Sequence, residues 1–336
     1  MQLVVLSARP DTLAETLVHI RQHMSFITDA LACVPASRFA DFAAIDGIDL
    51  VSDEDVTGLP THRIQSMDHQ TRNATIRREL ARHAAVDEVF LMADDDARPL
   101  KPVGEDMFID TGGRHRLYTF YDLTAWPGRS TDFDEGQHVT AEVLGYLGCE
   151  RRAFASHMPQ IVRKDLFDAA WSQVEAVTDT KQLCEWAVYG NVARMLEPDR
   201  FTEPSVYLTL CWPMYPGEWP FFTRPTEYVF ENFYPHLYEQ GGLFAGLPTA
   251  LDVDNSDRHA MEKILRWSAF GRRAAALDFP DGVDNPWIQG SRRRRAAFAV
   301  LRRFRAAYRY IAQEDQARLA ELSGTVEQLR DEVRKQ

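Results

Sequence analysis

The stretch Glu88-Val89-Phe90-Leu91-Met92-Ala93-Asp94-Asp95-Asp96-Ala97-Arg98-Pro99 decides the fold. Val89, Phe90, Leu91 and Met92 are bulky, uncharged and bounded by polar residues, the pattern of a buried strand. That strand stops on three adjacent carboxylates. Such a cluster repels itself and is costly to desolvate, so it calls for a cation, and a divalent metal is the first candidate.

Upstream of it, Asp68-His69-Gln70-Thr71-Arg72-Asn73 opens a helical pattern in which Ile76, Leu80 and Ala84 share one face, ending near Val86. Arg72 and Asn73 then fall in the first helical turn, where backbone amides and a guanidinium favour a phosphate. The competing reading assigns Arg72 to a solvated face with Arg77, Arg78 and Arg82. The order helix, strand, acidic cluster favours the functional reading.

At the N-terminus, Leu3 to Leu6 is a strand, Ser7-Ala8-Arg9-Pro10-Asp11 a loop, and Thr12 to about His23 an amphipathic helix. This is the opening unit of an α/β fold, in which ligands are received at the carboxyl ends of the strands. Ser7 and Arg9 are therefore candidate nucleotide contacts, with a plain surface turn as the alternative. Phe39 to Pro60 is expected to hold a second strand unit and a surface loop.

Downstream, Leu117 to Tyr121 alternates like a strand, and Ala125 to Gln137 is expected to be a loop able to order over substrate. Ala155-Ser156-His157-Met158-Pro159 places a histidine in a proline turn, and a helical pattern follows through Trp171. Glu185 opens another apolar helix and is a candidate base or acceptor contact, or a simple complement to the helix N-terminus. Pro204 to Gly246 is rich in aromatics, most of them expected in the core; Trp212, Tyr215 and Trp219, flanked by prolines, are the acceptor-binding candidates because aromatic faces stack on sugar rings.

The formal charge of -12 over 336 residues argues against a nucleic-acid partner. With 45% hydrophobic and 26% charged residues the chain has the composition of a globular protein. Cys33, Cys149, Cys184 and Cys211 show no CxxC spacing, so neither a zinc knot nor a disulfide framework is indicated. Without a signal-peptide pattern the expected location is cytoplasmic. From Ser291 to Tyr310 the chain is basic and amphipathic, which suggests either contact of residues 291–310 with the inner face of the plasma membrane or packing on the acidic body of the protein. Leu319, Leu322, Val326, Leu329 and Val333 then form a short coiled-coil seam, from which a homodimer is expected.

The Arg-Asn helix start leading into a strand closed by Asp94-Asp95-Asp96 resembles the GT-A glycosyltransferases and their DxD motif, over about residues 1–125. The resemblance implies a GT-A-like, Rossmann-type α/β core. Residues 1–125 would be its nucleotide-sugar-binding half, 126–290 its acceptor-binding half, and 291–336 a helical tail. It implies metal binding by Asp96 and Asp94, donor binding by Asp94 or Asp95 with Ser7, Arg9, Arg72 and Asn73, and a Mg²⁺ or Mn²⁺ cofactor. A later histidine would complete the metal site, His236 or His157 ahead of His259. Glu185 and His157 would serve the acceptor side. The implied partners are a nucleotide-sugar donor and a saccharide acceptor, with GDP-mannose the first donor to test and UDP-hexoses next.

The acids, His157-Met158-Pro159 and the basic tail are also similar to the Stealth family of sugar-phosphate transferases. Asp252-Val253-Asp254-Asn255 would be the late counterpart segment, while the family's first region has no equivalent here. That similarity implies a hexose-1-phosphotransferase as the rival activity. A noncatalytic protein acting through its tail is the rival from outside enzymology.

Overall fold

The computed structural model describes residues 1–120, 122–125, 131–212, 228–240, 242–249 and 259–266. Tyr215, Trp219, the 252–255 segment and the 291–336 tail lie outside the described residues, and with them the expectations placed there.

The chain opens as strand β1 (Gln2–Leu6), helix α1 (Pro10–His23) and strand β2 (Asp29–Val34). A short helix α2 (Phe39–Phe42) leads to β3 (Asp49–Ser52), then to helices α3 (Asp53–Thr57), α4 (Thr61–Gln65) and α5 (His69–Arg82). The acidic stretch forms β4 (Val89–Asp94) and, past the turn, β5 (Ala97–Pro99). Then come β6 (Tyr118–Thr119), α6 (Asp132–Tyr146), β7 (Gln160–Arg163), α7 (Lys164–Glu175), α8 (Glu185–Leu196), β8 (Ser205–Val206), β9 (Thr209–Leu210) and β10 (Phe230–Asn232).

The main sheet has the order β3-β2-β1-β4-β7, parallel except for β7 at its edge. Leu3, Val4 and Val5 of the central β1 are at most 1% exposed, as expected of a parallel strand covered on both faces. The expected α/β class with a Rossmann-type core is therefore the observed one. Its apolar core runs from β1 through α7 and α8.

Two local expectations are corrected. Phe39–Pro60 does supply β3, but the strand beside β1 is β2, drawn from Asp29-Ala30-Leu31-Ala32-Cys33-Val34. Its small residues lack the bulk and alternation that mark a strand in sequence. The loop expected over Ala125–Gln137 gives way at Asp132 to α6. The Thr131 side chain accepts from Asp134 N, and the Asp134 carboxylate accepts from Thr131 N, a reciprocal cap that starts the helix.

A second, three-stranded sheet, β5-β10-β9, begins directly after the acids. Its Asn232 pairs with Ala97, and Phe233 N donates to Asp96 O at 2.8 Å. Among the described residues no helix is long and apolar enough to cross a membrane.

Candidate active site

Register explains how the acids acquire neighbours. Leu6 ends β1 level with Asp94 at the end of β4, so Ser7 and Arg9 emerge beside Asp95 and Asp96. Because β7 runs antiparallel to β4, with Gln160 opposite Met92, the segment entering β7 arrives at the same sheet edge. That segment carries His157.

Asp95 turns inward. Its Oδ2 accepts from Ser7 Oγ at 2.6 Å and from Arg9 Nε at 3.2 Å, and Oδ1 pairs with Arg9 Nη2. Burial raises its carboxyl to about 6 against the pull of Arg9. The middle acid is thus held by the β1 loop, while the flanking two lie beside His157. Arg9 Nη2 also reaches Asp96 Oδ2 at 3.1 Å, while its guanidinium lies 5.7 Å from the Tyr234 ring centroid.

His157 Nδ1 lies 3.3 Å from Asp96 Oδ1 and 3.9 Å from Asp94 Oδ2. Burial disfavours the imidazolium, yet Asp96 and Asp94 overcome this and raise the group to about 9. Asp96 is buried too, but His157 and Arg9 hold its carboxyl below the ordinary value. The His157 backbone adopts φ 48°, the left-handed region. Its carbonyl accepts from Thr209 Oγ1 at 3.2 Å. Behind it, buried Gln160 donates to Tyr118 O at 2.8 Å and to Phe154 O at 3.2 Å, anchoring the turn.

Among the described residues, Asp94, Asp96 and His157 are the one cluster of His, Cys, Asp or Glu side chains spaced for a metal, with ligand atoms within 4.8 Å of one another. The local charges fit a divalent cation. The carboxylates of Asp94, Asp95, Asp96 and Glu185 face the guanidiniums of Arg9 and Arg77, which leaves two negative charges uncompensated while His157 is neutral. Two carboxylates and one imidazole suit Mn²⁺, and the oxygen pair suits Mg²⁺.

Other expected residues fall elsewhere. His236 is exposed and stacks on Tyr234 at 5.7 Å, outside the cluster, so the imidazole beside the acids is that of His157. His259 begins the helical residues 259–266 and is likewise outside it. Arg72 closes the first turn of α5 and Asn73 opens the second, and their side chains meet His69, at 3.3 and 3.1 Å. Trp212 is 2% exposed; its indole donates to Glu231 Oε2 at 2.8 Å and packs edge-on against Phe244. It is a core residue in this structure, its stacking faces enclosed.

Glu185 reaches the site from behind. Its carboxylate is buried, and burial raises its pKa although Arg77 opposes the shift. Oε1 accepts from Arg77 Nη1 at 2.6 Å and Oε2 from Gln70 Nε2 at 2.9 Å. The competing reading of α5 placed Arg77 on a solvated face; it is instead buried between Glu185 and Asp94, whereas Arg78 pairs with Glu175 and Arg82 with Asp168. The available signal was spacing: Gln70, Ala74, Arg77 and Ala81 form one helical stripe, and its small alanines mark close packing.

No protein-family model matches the chain, and no curated protein matches it. Solved structures similar to it include galactosyltransferase LgtC in complex with donor and acceptor sugar analogues, at 12% identity over 78% of this chain and 96% of that one, with a TM-score of 0.37. Mouse xyloside xylosyltransferase 1 in its apo form is 8% identical over 70% of this chain and 98% of that one, with a TM-score of 0.41. The 4-diphosphocytidyl-2C-methyl-D-erythritol synthase of Anaerococcus prevotii is 14% identical over 61% and 86%, with a TM-score of 0.33. The overlap is partial in each case.

Proposed function

We propose that the protein is a metal-dependent glycosyltransferase that moves a hexose from a nucleotide diphosphate sugar to a saccharide hydroxyl. The observation that carries this reading is the Asp94-Asp96-His157 cluster, two carboxylates and an imidazole spaced for a metal, at the carboxyl end of the parallel strands. That end is where α/β folds receive nucleotides.

Asp94, Asp96 and His157 would hold the cation. Bound there, Mg²⁺ or Mn²⁺ supplies positive charge to the departing diphosphate. The protein's own groups do the rest. Arg9, with its side chain 39% exposed, is tethered to Asp95 along one edge and offers a fixed guanidinium to an incoming anion. Ser7 and Asp95 set its angle. Glu185, engaged at both oxygens, serves as an anchor for Arg77 rather than as the acceptor's base.

The test is a panel of GDP-mannose, UDP-glucose and UDP-galactose with Mn²⁺, scored for donor hydrolysis and for the nucleotide released. Nucleoside diphosphate is the expected product. Nucleoside monophosphate would instead establish the Stealth-like phosphotransferase reading. In thermal-shift experiments GDP or UDP with Mn²⁺ is expected to stabilise the wild type, and Asp96→Ala is expected to lose that protection. A wild type with no metal-dependent response to either nucleotide refutes the proposal.

A further inference from the structure

We infer that Arg77 is a positioning residue for the cation site, the last link of a buried chain that fixes which oxygen of Asp94 faces the metal. The inference rests on the metal-site reading above.

The chain begins at Gln70 on α5. Its Nε2 donates to Leu183 O at 2.7 Å and to Glu185 Oε2 at 2.9 Å. Glu185, the first residue of α8, passes its other oxygen to Arg77 Nη1 at 2.6 Å. Arg77 Nη2 then donates to Asp94 Oδ1 at 2.5 Å. The remaining oxygen, Asp94 Oδ2, is the one directed toward His157. Below the guanidinium lies the Trp186 ring, 4.5 Å away, which closes its face.

Energetics make a purely structural role a poor explanation. The Arg77 and Glu185 side chains are 4% and 2% exposed, and burying such a pair is often no better for stability than apolar packing. What the pair does provide is direction. A guanidinium is a rigid planar fork; with one arm on Glu185 and the other on Asp94, it holds the Asp94 carboxylate in one rotation. Residues that orient metal ligands in this way typically change metal affinity by about 10- to 100-fold when replaced.

The sign of the effect separates positioning from simple charge. Removing a cation near a metal site should tighten metal binding on Coulombic grounds. If Arg77 orients Asp94, its loss should weaken binding instead. The experiment measures uptake of Mn²⁺ alone by the full chain, through the electron paramagnetic resonance signal of free Mn²⁺, with circular dichroism as the check on folding. Arg77→Met is expected to weaken Mn²⁺ binding by about tenfold or more. Arg77→Lys keeps the charge but loses the fork and should fall between, while Arg78→Met on the same helix should leave affinity unchanged. Tighter or unaltered binding in Arg77→Met overturns the inference. Should that variant fail to fold, Arg77→Lys decides, and wild-type affinity in it overturns the inference equally. A wild type that takes up no Mn²⁺ overturns the metal-site reading itself, an outcome distinct from a wild type and Arg77 variants that all bind alike.

Discussion

His157 shows what a single residue contributes at this site. Its φ of 48° costs a side chain with a Cβ about 1 kcal/mol or more relative to glycine. The position is therefore held by its neighbours, Thr209 at its carbonyl and Asp96 at its ring. His157→Gly and His157→Ala should both lose Mn²⁺ uptake, since both lack the imidazole. In urea unfolding without metal, the glycine variant should be the more stable of the two by about 1 kcal/mol; equal stabilities would show that the backbone there is unstrained. The residues legible in the sequence share a trait. Asp94, Asp96, Ser7, Arg9 and His157 all sit at strand ends or turns, where local pattern announces them. Arg77 does not, because it stands beside Arg78 and near Arg82 on a helix whose charges otherwise reach the surface. What distinguishes it from them is its place in the Gln70-Ala74-Arg77-Ala81 stripe, the face that tertiary packing buries.

Helix α6 carries the corresponding lesson at the scale of the element. It starts at the reciprocal cap of Thr131 and Asp134, inside the segment expected to be a loop. The structure supplies the reason for its glycine at position 136. A Cβ at Gly136 would come within 2.5 Å of Gln70 Cγ, in a region where Gln70 is only 3% exposed. Helix propensity has been yielded to let α6 approach the side chain from which the Asp94 support begins. Gly136→Ala is accordingly expected to destabilise the protein by about 1–3 kcal/mol through overpacking. It should also weaken Mn²⁺ binding without altering any carboxylate. Loss of stability with unchanged Mn²⁺ affinity would show that the Gln70 contact is dispensable. Strand β2 was missed for a different reason: its place between β1 and β3 is set by partners on either side, and small residues suffice there.

Across the whole molecule, a second buried charge network ties the three-stranded sheet to helix α1. Arg98 donates to Glu231 at 2.8 Å, to Glu15 of α1 at 2.9 Å and to the Tyr238 hydroxyl at 3.1 Å, and Lys263 Nζ closes on Glu231 at 2.7 Å. None of this is foreseeable from spacing, because the partners come from widely separated parts of the chain. Burial alone would raise the Glu231 carboxyl, but Lys263 and Arg98 bring it down to about 2. Its contribution to stability is therefore complete above its ordinary value of 4.5 and is lost as pH falls through about 2. Glu231→Gln, which leaves Arg98 and Lys263 without that counter-charge, should cost about 3–5 kcal/mol at neutral pH. Its stability should also fall less steeply with acidification between those two pH values. An unchanged acid limb in the urea midpoint would assign the wild-type acid sensitivity to other carboxylates.

The parallel order of the sheet also has a consequence for synthesis. When Asp96 leaves the ribosome, Arg9 and Arg77 have already been made, while His157 and Glu185 are still to come. The nascent acids thus meet cations older than themselves, and β4 can join β1 before the edge strand β7 exists.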